Sequence, residues 1–208
     1  MSTSDLMVFV VDDDAAIRTS LGRALEMRGY RVETHGSAAA FLDAYDPSRT
    51  GCLVLDYGLP GMNGLELQAH MNSQGIALPI IFITGHGGVP ESVQAMKGGA
   101  VDFLEKPFRQ SVLVERIETA CAQAARQSSA AIRENDVARR LENLTARERE
   151  IVECILDHPG QTTSKDIGRF LDISPRTVDH HRARILEKLQ VRSIVELVDL
   201  TKATLRPR

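Results

Sequence analysis

The chain of 208 residues, 43% of them hydrophobic, is long enough for one or two domains of ordinary size, and its net charge of −3 by itself says nothing about nucleic acid. Its three cysteines, Cys52, Cys121 and Cys154, are odd in number and widely separated, which excludes a disulfide framework and a zinc site and fits a reducing cytoplasm. No apolar run approaches the ~18 residues of a membrane span and no basic-then-apolar leader opens the chain, so no membrane partner is expected.

Met7 to Val11 is an uninterrupted apolar run that ends in Asp12-Asp13-Asp14 and reads as a first buried strand. Ile17, Leu21, Ala24, Leu25 and Met27 then recur at helical spacing, with Gly29 as a closing cap. The alternation continues with a strand over 30–34, a helix over 37–44 capped by Ser37, a strand over 52–56, and a helix after Asn63 that ends near Gly75. Residues 79–84 form the next strand, 89–97 the next helix, 101–105 the fifth strand and 112–125 the fifth helix. Five β-α units in succession imply an α/β fold, a doubly wound five-stranded parallel sheet with helices on both faces.

In such a sheet the carboxyl ends of the strands meet at one edge, where ligands bind. Asp12, Asp13, Asp56, Thr84 and Lys106 all fall at those ends. Three carboxylates, one ammonium and one hydroxyl suit a hard divalent ion and a phosphoryl group. Mg²⁺ prefers oxygen ligands and takes one or two carboxylates. Lys106 can neutralise phosphate oxygens, and the Thr84 hydroxyl can donate to one of them. An Asp at a strand end is often only a cap or turn former. Five convergent polar groups are different, because each would be costly to bury alone and together they satisfy one another.

The motifs Val-Asp-Asp-Asp at 11–14, Leu-Asp-Tyr-Gly-Leu-Pro-Gly-Met-Asn-Gly at 55–64, Ile-Thr-Gly-His-Gly at 83–87 and Glu-Lys-Pro-Phe at 105–108 are strongly specific as a set. Over about Val8 to Ala125 they resemble the receiver domain of bacterial two-component response regulators. The resemblance implies a sensor histidine kinase as donor, Asp56 as phosphoacceptor, Asp12 and Asp13 as the acids of a Mg²⁺ site, and the carbonyl of Gly58 as a backbone ligand. It implies Thr84 as the switch hydroxyl, Lys106 as the phosphate-binding lysine, Phe103 as the aromatic switch residue and a cis Lys106-Pro107 bond. With these roles, phosphorylation is expected to draw Thr84 inward to the phosphoryl group and to let Phe103 rotate from solvent into the vacated space, which would alter the surface of the fourth helix, fifth strand and fifth helix.

The alternative is a Mg²⁺-dependent phosphatase or phosphotransfer enzyme of the haloacid-dehalogenase-like kind, whose Asp-x-Asp spacing Asp12-Asp13-Asp14 satisfies. Ala15-Ala16 and Gly58 argue against it, since Gly58 offers no general acid to release a product. A DNA-binding protein whose α/β domain is only structural is a third reading.

From 121 to 143 the chain is rich in Ala, Gln, Arg and Glu, without Pro or Gly, and is expected to be helical. Ser128-Ser129 is the expected break, and the thin apolar stripe favours a solvated spacer over a dimerising helix or an extension of the fifth helix. The expected division is thus 1–125, a linker over 126–143, and a second domain over 144–208.

Thr145 and Glu148 have the spacing of a capping box, so a helix begins there, buries Ile151, Val152, Ile155 and Leu156, and ends at Pro159-Gly160. Thr163 or Ser164 caps a short helix, Asp172-Ile173 makes a tight connection, and Ser174-Pro175 opens a helix that runs to about Leu189. Val178, Ile185 and Leu189 face its core, which leaves Arg176, Asp179, His180, Ala183, Arg184 and Lys188 outside. Two short helices around a tight turn, the second with a basic polar face, describe a helix-turn-helix in a small all-α domain.

Leu-Thr-Ala-Arg-Glu-Arg-Glu at 144–150 and Ile-Ser-Pro-Arg-Thr-Val-Asp-His-His at 173–181 resemble the LuxR-type DNA-binding domain. With the receiver, nearly the whole chain resembles the FixJ/NarL family of response regulators, most of all its FixJ branch. The resemblance implies double-stranded operator DNA as a partner, with Asp179, His180 and Ala183 in the major groove and Arg176, Thr177, Arg184 and Lys188 on phosphates. A homodimer on phosphorylation and contact with RNA polymerase are expected with it. Asp179 can accept from cytosine N4 but repels phosphate. Of the two histidines, His181 is the expected structural one. Gly168 departs from the alanine usual in the family, a loss of about 1 kcal/mol in helix propensity.

Overall fold

The computed structural model describes residues 6–85 and 88–204; His86 and Gly87 of the fourth-strand motif lie outside the described residues. Five strands, β1 (Met7–Val11), β2 (Arg31–His35), β3 (Gly51–Asp56), β4 (Ile80–Thr84) and β5 (Asp102–Glu105), form one parallel sheet in the order β2-β1-β3-β4-β5. β3 and β4 are buried along their whole length, as continuous apolar runs covered on both faces must be. The edge strand β2 is polar and half-exposed, which blunts it against pairing with other chains.

The intervening helices are α1 (Ala15–Glu26), α2 (Ala38–Ala44), α3 (Gly64–Ser73) and α4 (Val89–Lys97). Their starts are set locally: the side chains of Asp14, Ser37 and Asn63 accept backbone N–H groups, and Asn63 and Glu66 cap each other reciprocally. Strand alternation sends Phe9, Leu53, Leu55 and Phe82 into one core layer and Val8, Val10, Val54, Ile81 and Ile83 into the other. The sheet edge is set by register. Val11 pairs with Leu55, Asp56 with Ile83 and Thr84 with Glu105, so the ends of β1, β3, β4 and β5 come level.

α5 spans Gln110–Glu142, 33 residues without interruption. The expected break at Ser128-Ser129 is absent, and the spacer is an extension of the fifth helix. The Ser129 hydroxyl donates to the Ala125 carbonyl at 2.8 Å, so the serine bonds back within the helix instead of ending it. The chain divides into two compact units, Met1–Ser129 and Ala130–Arg208. Cys52 and Cys121, far apart in sequence, bring their sulfurs to 3.9 Å in the first unit as free thiols.

The second unit holds α6 (Ala146–Asp157), α7 (Ser164–Leu171), α8 (Pro175–Leu189) and α9 (Ile194–Thr204) around Ile151, Ile155, Ile167, Val178, Ile185, Leu189 and Leu197. α9 was not among the expected elements. Its signal was present: Ser193 Oγ accepts from the Glu196 N–H, and Glu196 accepts from the Arg192 N–H. α8 is bracketed by two left-handed residues, Asp172 at φ 52° before it and Gln190 at φ 55° after it. Gly168 turns out to be demanded by packing, since a Cβ there would lie 2.7 Å from the Ile173 carbonyl oxygen. Among the described residues no helix is long and apolar enough to cross a membrane.

Candidate functional site

Asp12 and Asp56 stand buried at the ends of β1 and β3, and Lys106, just past β5, sets its ammonium 2.7 Å from Asp12 Oδ2 and 2.7 Å from Asp56 Oδ1. Backbone donors complete both carboxylates. The Asp14 N–H reaches Asp12 Oδ1 at 2.9 Å and the Gly58 N–H reaches Asp56 Oδ2 at 2.7 Å. Two acids can lie buried side by side here because one cation and two N–H groups satisfy them. Burial opposes the charge on Lys106, but the hydrogen bonds and charges of Asp12 and Asp56 outweigh it and hold its pKa above the ordinary lysine value.

Thr84 is buried at the end of β4, and its carbonyl accepts from the Lys106 N–H at 2.7 Å, so the two residues are tied through the backbone. The Lys106-Pro107 bond is cis, as expected. Phe103 is half-buried with its ring 6.0 Å from that of Phe82, not out in solvent. Sequence reasoning missed Arg18, whose guanidinium donates to the Asp12 carbonyl at 2.6 Å from one turn inside α1.

Of the three expected acids, the structure brings Asp12 and Asp56 together and leaves Asp13 apart from them. Asp13 is exposed, because neighbours at the end of a strand face opposite ways, and Asp14 is the N-cap of α1. Among the described residues no three His, Cys, Asp or Glu converge as a ready metal site. The pair still fits a hard divalent cation in kind: its donors are carboxylate oxygens, and a cation already bridges them.

On α8 the side chains of Arg176, Thr177, Asp179, His180, Ala183 and Arg184 are exposed, as expected. Lys188 is the exception among the residues expected to meet phosphates. Its ammonium is taken, 2.6 Å from the buried Glu148 carboxylate and 3.2 Å from the Asn143 carbonyl, so it fastens α8 to the start of α6. Glu148 also caps that start by accepting from the Thr145 N–H at 2.8 Å. Burial pushes the Glu148 pKa up, but Lys188 and the Thr145 donors prevail and hold it below the ordinary value. His181 is half-buried with its Nδ1 facing the interior without a partner among the described residues, which agrees with a structural place for it.

The response regulator receiver domain family matches residues 8–118, and the bacterial regulatory proteins of the luxR family match residues 142–201. The chain is a two-component response regulator. Its second domain is of the LuxR DNA-binding type, and it belongs with the transcription regulators. The transcriptional regulatory protein FixJ of Azorhizobium caulinodans is 42% identical over 93% of this chain and 90% of that relative, and the FixJ of Bradyrhizobium diazoefficiens 43% identical over 93% of each. Among solved structures, response regulator StyR is 39% identical with a TM-score of 0.84, covering 95% of this chain and 98% of that one. Full-length FixJ from B. japonicum is 41% identical with a TM-score of 0.56, covering 95% of this chain and 96% of that one.

Proposed function

We propose that this response regulator takes a phosphoryl group from a sensor histidine kinase onto Asp56 and thereby controls its occupancy of operator DNA in the cytoplasm. The observation that carries the reading is the shared ammonium: Lys106 holds two buried carboxylates together at the edge where a phosphoryl oxygen needs a positive partner. A carboxylate oxygen of Asp56 forms the new P–O bond as the P–N bond of the donor breaks. Asp12, Asp56 and the Gly58 carbonyl are the groups that would hold Mg²⁺, with exposed Asp13 turning in to join them. The ion supplies neutralisation of the phosphoryl oxygens when bound. Lys106 then moves its ammonium from Asp12 toward a phosphoryl oxygen, and the Thr84 hydroxyl turns to another. Phe103, already half inside against Phe82, completes its burial.

Residues 1–125 act as the receiver, 126–143 as the linker within α5, and 144–208 as the DNA-binding domain. Val89, Val93 and Met96 lie exposed on one face of α4 at helical spacing. A patch of this kind, on a helix that packs next to β5, the strand of Phe103, supports a homodimer formed on phosphorylation. α8 enters the major groove with Asp179, His180 and Ala183 toward bases and Arg176, Thr177 and Arg184 toward phosphates, and the bound dimer meets RNA polymerase. The chain is a regulator, not an enzyme that turns over phosphate.

Incubation with acetyl phosphate and Mg²⁺, followed by intact-mass measurement, gives one phosphoryl adduct that Asp56→Asn abolishes, and sedimentation shows the adduct dimeric. An adduct that survives Asp56→Asn removes the assignment of the acceptor, and release of many phosphates per chain favours the phosphatase.

A further inference from the structure

We propose that Ser164 and Arg182 are positioning residues for base reading, holding Asp179 so that the sequence choice of α8 is set in part from α7. The proposal rests on the DNA-binding reading above and adds to it two residues that the basic, exposed face of α8 did not single out.

Arg182 is only half-exposed, because its guanidinium Nη1 donates to the Thr162 carbonyl and to Ser164 Oγ, each at 3.1 Å. The Ser164 hydroxyl in turn donates to Asp179 Oδ1. A hydroxyl carries a single proton. With Arg182 on one lone pair of Ser164, that proton is left for Asp179, so the relay runs in one direction from Arg182 through Ser164 to Asp179. Asp179 itself is exposed, and its Oδ2 carries no hydrogen bond among the described residues.

An exposed aspartate normally samples several rotamers, and ordering it on DNA opposes binding. Tethered at Oδ1, Asp179 has met that loss in advance, a factor of roughly two- to tenfold in binding to the base it reads. The oxygen left over is an acceptor only, and so it selects an amino group on a base edge, cytosine N4 foremost. The tether also brings a guanidinium close behind a carboxylate that would otherwise repel the phosphates on either side. Arg182 is thereby employed inside the domain and makes no phosphate contact of its own.

The test is a selection of randomised duplexes by the full chain treated with acetyl phosphate and Mg²⁺, comparing wild type with Ser164→Ala, Ser164→Thr, Arg182→Gln and Asp179→Ala. Asp179→Ala flattens the preference at one base pair of each half-site. Ser164→Ala and Arg182→Gln flatten the same base pair about two- to tenfold and leave the others as they are. Ser164→Thr, which keeps the hydroxyl, restores it, and Ser164→Ala with Asp179→Ala together does no more than Asp179→Ala alone. Weakening spread evenly over the site, or a profile unchanged in Ser164→Ala, overturns the positioning role. If the wild type itself enriches no sequence, the DNA-binding reading fails first and the proposal falls with it.

Discussion

At the sheet edge the ammonium of Lys106 meets the carboxylate of Asp12 across 94 positions of sequence, whereas on α8 the exposed polar side chains come from one run of 15 residues. The first constellation is buried and satisfied from within. The second is held open to solvent, with its core-facing residues doing the anchoring. The difference teaches where each kind of substitution registers: at the edge a lost charge strands its partners inside the fold, and on the open face of α8 it alters only what the domain can hold. Lys188 and Glu148 belong by this measure with the sheet edge, although Lys188 lies on α8.

Lys106→Met breaks the contrast most severely. It leaves Asp12 and Asp56 buried without their cation and costs about 3 kcal/mol of stability in urea unfolding, the low end for a broken buried pair because the lysine is partly exposed. Added Mg²⁺ restores part of the loss if the two acids bind it. Glu148→Gln removes the carboxylate that holds Lys188 and costs about 2 kcal/mol at neutral pH. The folded pKa of Glu148 lies below its ordinary value of 4.5, so its ionic stabilisation is complete above that value and is lost as pH falls through the lowered one. The gap between wild type and Glu148→Gln therefore closes on acidification, and a gap that widens instead would mean that the carboxylate is not the stabilising form.

Gly168→Ala sharpens the comparison within the second domain. Helix propensity alone favours alanine by about 1 kcal/mol. The added Cβ would meet the Ile173 carbonyl at 2.7 Å, which forces the turn apart, and a net loss of about 1 kcal/mol in thermal unfolding is expected. A stabilised variant would show that the turn has slack. Least of all, Arg176→Ala and Arg184→Ala shift stability by under about 0.5 kcal/mol while each lowers the salt dependence of DNA binding by about one ion. A change in stability with no change in salt slope would place these arginines with Lys188 and not on phosphate.

Much of this was legible from residues one at a time. Buried parallel strands announce themselves as apolar runs, and Ser37, Asn63, Thr145 and Ser174 cap where capping chemistry says they should. The meeting of Asp12, Asp56 and Lys106 followed from topology, because strand ends in a parallel sheet share an edge. What stayed hidden depended on direction and on distant partners. Nothing in Asp12-Asp13 says which carboxylate turns inward, and nothing near Lys188 reveals that Glu148 waits 40 positions earlier. The unbroken course of α5 through Ser128-Ser129 was misjudged because a serine is weak in isolation yet bonds back to the helix it continues. α9 was missed although Ser193 and Glu196 carry the same capping signature that gave α6.

The two left-handed residues around α8 bear on how this protein could be altered. Neither Asp172 nor Gln190 is glycine, and an L side chain at φ near 55° carries a penalty of roughly 1 kcal/mol that glycine avoids. Asp172 closes α7 and Gln190 closes α8, each just past the last residue of its helix. A glycine at either position would lift that penalty, so the domain keeps room for added thermal tolerance in the two turns that close its helices, without any change to the helices themselves.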